Sequence, residues 1–516
     1  VVLCLAASLW TGLRHLEDTL PYPEHIDERT LMRGAKRVLQ RGDFDPRIYN
    51  YPSLAFYLNA AGLAVGLIHA SGLGPDHVTV KDIGRLEPPF YERLAVAAVS
   101  RKLWILLGLG CVVGAAAIAH SMCGPVAMLL TALVLTLTAT PTSAASSYIG
   151  VDVPMSLFVM LILAHLVAAV DSVRYRDRVW IPAALCGAAI ACKYTAFMLM
   201  VPCVIAIWSY PARDRLSRTV ELVVLTFLTF AILCPRFLLD LPNFVDALAF
   251  ENFHYRVVGH RRFNVEPGFP QLFEYGANLV DTYGLLLISL AVVGAASALG
   301  RHPRRAALLL SFPTCWLLLL ASYKVHFVRN LLPVVLLVPV LSSIGALASW
   351  RAFAGWLRPR MPRAPGYAAD LASAAALTAA LMLTLPYAHI AAAYRGDTDS
   401  RLRFAAWARA HMKAGSELLI PQALPFSPET LPHGLSVQSV DLASAEQTAS
   451  VVRAGRYMLL PHWTSDEGVA ERVAHLAPGL AVLPHHRVVR EFPGLPAEPG
   501  IEQELSINPA FQLVRF

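Results

Sequence analysis

Apolar runs long enough to cross a bilayer recur along the chain as far as about residue 390. A hydrocarbon core about 30 Å thick takes about 20 mostly apolar residues per helix. On that basis candidate spans fall near 1–13, 94–120, 125–142, 152–170, 179–192, 195–210, 219–239, 282–300, 305–322, 331–349 and 368–390. The pair flanking Lys193 is short for two full crossings and reads as a helical hairpin whose tip sits at depth. Residues 1–13 read as a first span lacking its leading flank; a signal-peptide core fits less well, because further spans follow. The tail after 390 has a different pattern. Helix-like runs (Arg401 to Ala414, Ala443 to Ala454, Glu467 to Leu476) alternate with strand-like ones (Ser416 to Ile420, Tyr457 to Leu460), which predicts a small α/β domain over 391–516.

Composition strengthens the membrane reading. Of 516 residues 56% are apolar and 15% charged, against about 25% charged in soluble proteins, and the mean hydropathy is +0.51. Such a chain lacks the polar surface of a set of soluble domains, and collagen-like, disordered and disulfide-scaffold classes are excluded as well. The eight cysteines lie in or beside apolar runs without CxxC spacing, so they indicate neither a metal knuckle nor a redox motif. Nothing indicates a nucleic-acid partner.

The net charge of +7 orients the spans. Short loops with Arg174, Arg176 and Arg178, with Arg213, Arg215 and Arg218, with Arg301, Arg304 and Arg305, and with Arg351, Arg358, Arg360 and Arg363 alternate with loops poorer in cations. The positive-inside rule puts these four in the cytoplasm. They all fall there, with the amino terminus inside, only if the apolar stretch at 52–71 does not cross. That stretch therefore reads as an interfacial or re-entrant helix of a long outer loop, 14–92. The fold expected is a polytopic α-helical membrane protein of about 11 spans. A transmembrane domain over 1–390 would carry interfacial helices in the first outer loop and a small soluble α/β domain at the carboxy terminus.

Charge at the edge of hydrocarbon is costly and marks functional candidates. In this topology four clusters share the outer boundary: Asp27-Glu28, Asp152 before Pro154, Lys193-Tyr194, and Lys324, His326 and Arg329 within Ser322 to Asn330. Each has a plainer role open to it. Asp27-Glu28 suits a solvated helix start, Asp152 an N-cap, Lys193 a snorkelling lysine, and Lys324 with Arg329 any lipid phosphate. Together they suit a reaction between a lipid-borne anion and a neutral nucleophile. Cations hold a phosphate as it leaves, and a carboxylate takes the proton of an attacking hydroxyl. The loop aromatics Tyr49, Tyr51, Phe56 and Tyr57 suit a sugar-lined site or an aromatic belt equally.

These residues carry a resemblance. The runs Asp27-Glu28-Arg29, Gly42-Asp43-Phe44-Asp45-Pro46 and Tyr49-Asn50-Tyr51-Pro52-Ser53-Leu54 resemble the first outer loop of GT-C membrane glycosyltransferases, in the bacterial branch related to protein O-mannosyltransferases and lipid A aminoarabinose transferase. Asp152-Val153-Pro154 resembles that family's second acidic site and Cys192-Lys193-Tyr194-Thr195 its lysine turn. Lys324 to Pro333 resembles its cationic loop before a late span, and Asp397 to Arg401 followed by Trp407 the start of its exported domain.

The resemblance implies a polyprenyl-phosphate sugar donor and inversion at the anomeric carbon. Asp27 would be the base, with Glu28 beside it and Asp152 assisting. Lys193 and Arg329, with Lys324 and His326, would bind the donor phosphate, and Tyr51 and Tyr194 would line the substrate. No resident cofactor or protein metal site is implied, although a divalent cation bridging carboxylate and phosphate is chemically compatible. The setting would be a bacterial inner (cell) membrane with the site facing the periplasm, and the acceptor a glycan such as lipopolysaccharide, a lipid or a protein. Where the aminoarabinose branch carries Glu-Lys-Pro-Pro, this chain reads Asn50-Tyr51-Pro52-Ser53, so sugar and acceptor stay open. The alternative is a transporter or flippase of lipid-linked envelope precursors. It calls for matching broken helices in two halves and charges stepping through the midplane, a pattern the sequence lacks.

Overall fold

The computed structural model describes residues 1–14, 16, 19–20, 22–23, 25–71, 94–138, 148–209, 213–260, 263–357, 399–422, 424, 426, 430–461, 478–492 and 510–516. The expected span 368–390, the expected helix from Glu467 to Leu476, the basic positions Arg358, Arg360 and Arg363, and the expected domain boundary at 390/391 lie outside these residues. Two compact units emerge. The first comprises Val1–Arg14, Leu31–Ala64 and Ser100–Tyr394; the second comprises His15–Thr30, Val65–Val99 and Arg395–Phe516.

The chain is a multi-pass helical membrane protein. Among the described residues five helices are long and apolar enough to cross a membrane: Ala97–Cys123, Arg215–Leu233, Phe269–Arg301, Pro303–Ala321 and Val328–Gly355. Shorter apolar helices are Val2–Arg14, Ser53–His69, Pro125–Leu137, Asp152–Ala168 and Tyr194–Trp208. Helix boundaries follow local chemistry. Pro125, Pro182, Pro270 and Pro303 stand in the first turns of their helices, where a missing N–H is no loss. The expected span 219–239 is not one helix: Arg215–Leu233 ends at Cys234, and Pro235 starts a separate turn, Arg236–Leu239. Gly284 interrupts the Phe269–Arg301 helix with φ 74° and ψ 158°, close to the expected span start at 282. Around Lys193 the expected break is present. Ile181–Cys192 stops, Lys193 is extended (φ −153°, ψ 124°), and a 3₁₀ turn, Tyr194–Leu199, leads into Met200–Trp208.

One helix pair packs backbone on backbone. A Cβ at Gly294 would collide with the Leu341 carbonyl, and one at Gly345 with the Leu290 carbonyl. Small residues let membrane helices approach in this way, where packing rather than water drives association. Gly345→Leu is therefore expected to destabilise the protein by about 1–3 kcal/mol through overpacking. A thermal melt in detergent checks this, and an unchanged midpoint would contradict the tight crossing.

The basic loop containing Arg174, Arg176 and Arg178 is more structured than its sequence suggests. Arg178 is buried and donates to the carbonyls of Ser172, Val170 and Ala206 at 2.5, 3.0 and 2.5 Å. Those carbonyls lie at or beyond the ends of Asp152–Ala168 and near the end of Met200–Trp208, so the guanidinium satisfies acceptors that helix ends leave open.

In the second unit a five-stranded mixed sheet has the order β2-β1-β3-β5-β4, with β1 at Glu417–Pro421, β2 at Ser436–Val440, β3 at Tyr457–Pro461, β4 at Arg487–Phe492 and β5 at Phe511–Arg515. β1 runs parallel to β2 and β3, and β5 antiparallel to β3 and β4. The central strands bury both faces. Leu418, Ile420, Leu459 and Leu513 pack with Phe404 and Ala408 of the Ser400–His411 helix, while Leu419, Met458 and Val514 pack with Val440 on the other side. Asp399 caps that helix through the Arg401 N–H at 2.9 Å, and its carboxylate takes the Arg401 guanidinium at 2.9 and 2.8 Å. The same guanidinium lies 3.6 Å from the ring centroid of Tyr22.

Candidate active site

Three breaks between helices carry the central charges. Asp152 opens the Asp152–Ala168 helix, whose N-terminal dipole favours a carboxylate. It is reached from a turn pinned by the Trp104 indole, which donates to the Gly150 carbonyl at 2.6 Å. Lys193 occupies the extended residue after Cys192. Arg329 and Asn330 lie in the 3₁₀ turn Val328–Leu331, just before Leu332–Leu357.

These breaks bring four side chains together. Lys193 Nζ donates to Asp152 Oδ1 at 2.5 Å and to Asn330 Oδ1 at 2.7 Å. Arg329 Nε stands 3.8 Å from Asp152 Oδ2, and its guanidinium lies 4.3 Å from the centroid of the Phe327 ring. Asn330 is buried, and its carbonyl accepts from the Trp316 indole at 2.8 Å. One carboxylate at 3% side-chain exposure thus faces two cations at 13% and 19%, leaving a net positive charge. An ammonium has three N–H donors; two are used here, and among the described residues the third has no protein partner. The Asn330 link has no counterpart in the sequence reading. Its one signal was its place directly after Arg329.

Lys193 and Asn330 form part of the wall of a cavity of about 700 Å³. Most of that wall is apolar, including Phe230, Phe244, Leu248, Leu319 and Leu320, with Glu251 and Arg256 among its few charged groups. Both expected lining tyrosines, Tyr51 and Tyr194, belong to it. The Tyr194 hydroxyl donates to the Tyr49 carbonyl at 2.8 Å, Tyr49 donates to Asp240 at 2.7 Å, and Asn50 donates to Glu251 at 2.5 Å. Arg236 approaches Asp45 and Asp43 at 3.7 and 3.9 Å. The quoted run from Gly42 to Leu54 is thus tied to the segment 234–251. The amide of Asn243 and then the Tyr49 hydroxyl hold the Asp240 carboxyl below its ordinary range.

Lys324 and His326 are engaged elsewhere. Lys324 Nζ is 3.4 Å from the Val257 carbonyl, and its backbone N–H donates to Tyr255 O at 2.8 Å. His326 stacks on Tyr275 with centroids 4.2 Å apart. Its Nδ1 meets Gln271 Oε1 at 2.7 Å, and its Nε2 meets Asn278 Nδ2 at 3.1 Å. The amides dictate the tautomer. Gln271 Nε2 already donates to Tyr323 O at 2.9 Å, and Asn278 Nδ2 to Glu274 O at 2.8 Å. Nδ1 therefore carries the proton and Nε2 accepts, which is the neutral imidazole. Burial lowers its pKa, partly opposed by Glu274.

A depressed folded-state pKa means that the unfolded chain takes up the proton first. The neutral His326 bridge between Gln271 and Asn278 is therefore intact above the ordinary histidine value of about 6.5, and its contribution to stability declines as pH falls through that value. The wild-type melting midpoint is expected to drop more steeply than that of His326→Gln between neutral and mildly acidic pH. Parallel curves would contradict the assignment.

Asp27 and Glu28 belong to the second unit, in the first turn of Ile26–Arg41. Both are buried. The Asp27 N–H donates to His25 Nδ1 at 3.1 Å. Among the described residues no three His, Cys, Asp or Glu side chains stand close enough to share a metal ion. Asp152, a single carboxylate facing two cations, has the donor set of an ion pair and not that of a divalent-cation site.

Compared by sequence, the chain matches no family model and no curated protein. By structure it resembles ArnT from Cupriavidus metallidurans bound to undecaprenyl phosphate, with TM-score 0.53 and 15% identity over 100% of this chain and 97% of that one. It also resembles the apo oligosaccharyltransferase of Archaeoglobus fulgidus, with TM-score 0.52 and 10% identity over 89% of this chain and 69% of that one. A third match is the oligosaccharyltransferase AglB of that organism in complex with an inhibitory peptide and a dolichol-phosphate, with TM-score 0.50 and 12% identity over 81% and 62%. The chain has the fold of the GT-C membrane glycosyltransferases.

Proposed function

We propose that the chain is an inverting glycosyltransferase of a bacterial inner membrane. It moves a sugar from a polyprenyl-phosphate donor to a hydroxyl of a glycan, lipid or protein at the periplasmic face. The observation that carries this is the Lys193 ammonium, held by Asp152 and Asn330, in the wall of a largely apolar cavity of about 700 Å³. Apolar wall and net cationic charge suit an amphiphile with a long hydrocarbon chain and a phosphate head. The shared fold adds support, since matched structures hold undecaprenyl phosphate and dolichol-phosphate.

In this reading Lys193 and Arg329 touch the donor phosphate, while Asp152 and Asn330 aim them. Lys324 and His326 hold the segment that carries Arg329 and Asn330. Asp27 is the base on the strength of the resemblance, with Glu28 beside it. The acceptor hydroxyl loses its proton to Asp27 as its oxygen attacks the anomeric carbon opposite the phosphate. A new C–O glycosidic bond forms, and the bond from the anomeric carbon to the phosphate oxygen breaks. The electron pair leaves with polyprenyl phosphate, whose added charge Lys193 and Arg329 stabilise. Tyr51 and Tyr194 line the chain or the sugar.

Purified protein supplied with a radiolabelled polyprenyl-phosphate sugar and envelope extract is expected to release polyprenyl phosphate and label the acceptor with inverted stereochemistry. Cells lacking the gene should accumulate the lipid-linked sugar by mass spectrometry. Movement of that lipid across sealed vesicles with no covalent transfer would overturn the enzyme reading in favour of a flippase.

A further inference from the structure

A second cavity lies at the other end of the membrane helices. It has about 280 Å³, and its lining includes Cys123, Ser297, Ala298, Arg301, Ala348 and Arg351, which come from three helices. Its origin lies in the packing. Gly294 and Gly345 bring two of those helices into backbone contact, and one turn further on the pair opens around Ser297, Ala298 and Ala348. Arg329 and Arg351 stand at opposite ends of one span. At 1.5 Å per residue they are on the order of 30 Å apart, about the thickness of the hydrocarbon core.

Among the described residues no acidic side chain lines the cavity, and neither Arg301 nor Arg351 has an ion-pair or hydrogen-bond partner. The neighbouring Arg305 is already committed, donating to the Ser121 carbonyl at 2.9 Å and lying 3.7 Å from Asp171. The same helices also carry exposed apolar side chains, Leu299 on one and Phe353 on the other, two residues from Arg301 and Arg351 in sequence. Two arginines aimed at one polar cavity suit a phosphate, and the exposed apolar side chains suit the acyl chains attached to it.

We infer that this cavity binds the phosphate headgroup of an anionic phospholipid, in the leaflet opposite the Lys193 cluster. Basic pockets between membrane helices take such headgroups. Arg301 and Arg351 hold the phosphate oxygens, and Ser297 supplies a further hydroxyl donor. The inference is independent of the proposed reaction.

The test places the full chain in nanodiscs of phosphatidylcholine with or without phosphatidylglycerol. Native mass spectrometry is expected to find phosphatidylglycerol retained on the wild type. The Arg301→Gln/Arg351→Gln variant should retain it about tenfold less or lower still, and Arg301→Lys/Arg351→Lys should retain most of it. A second readout needs no variant: phosphatidylglycerol should slow maleimide labelling of Cys123 in the wild type relative to phosphatidylcholine alone. Equal retention by the glutamine variant, or Cys123 labelling indifferent to lipid, would overturn the site. Protection of Cys123 by millimolar inorganic phosphate in lipid-free detergent, as strong as that by the lipid, would overturn the assignment to a headgroup in favour of free phosphate.

Discussion

Replacing Lys193 by methionine is expected to slow sugar transfer by ~10²–10³-fold, the usual cost of removing one donor from a group that develops negative charge in the transition state. The ammonium is positioned from two sides, by Asp152 at 2.5 Å and Asn330 at 2.7 Å, so its charge is preorganised before donor binds. The same substitution has a structural cost. It removes one partner of an Asp152 carboxylate that is 2% exposed, and breaking a buried pair in this way costs about 3–5 kcal/mol. Arg329, 3.8 Å away, offsets part of that.

The two effects separate in a double-mutant cycle. Lys193→Met with Asp152→Asn should melt higher than Lys193→Met alone, because the stranded charge is gone, yet be no more active. Turnover of a purified polyprenyl-phosphate sugar and a thermal melt read both quantities. If the double variant regained transfer along with stability, Lys193 would be a structural lysine only.

Asp27→Asn is expected to lower turnover by about 10²–10⁴-fold, the range that a positioned general base contributes, while donor binding stays near the wild-type level. Asparagine keeps the size and most of the hydrogen bonding of the carboxylate at a helix start, so the protein should still reach the membrane folded. Single-turnover kinetics at saturating donor, set beside equilibrium binding of polyprenyl phosphate, split chemistry from affinity. Loss of binding with unchanged single-turnover rate would move Asp27 out of the role of base.

What the sequence made legible follows from which forces act locally. Apolar run length located Leu94–Cys123, Pro125–Leu137, Asp152–Ala168 and Pro303–Ala321 within a few residues, because burial in hydrocarbon depends on the run itself. Lys193 was legible because a charge amid apolar residues marks a break. The partners of the charged groups were not. Asn330 lies 137 residues from Lys193, and Gln271 lies 55 from His326; no local pattern reports such pairings. Arg178 read as one more basic loop residue, yet three carbonyls claim it. In the tail, β1 and β3 stood out because both of their faces are buried. Strands β2 and β4 sit at the sheet edges with mostly exposed side chains, so they lack the alternation that signals a strand.

Electron cryo-microscopy of the chain with bound polyprenyl phosphate would show directly whether Lys193 and Arg329 hold the donor. The phosphate is expected within hydrogen-bonding reach of Lys193 Nζ and near Arg329, with the isoprenoid chain along Phe230, Phe244 and Leu248. A phosphate found away from Lys193, or a chain bound outside that cavity, would contradict it.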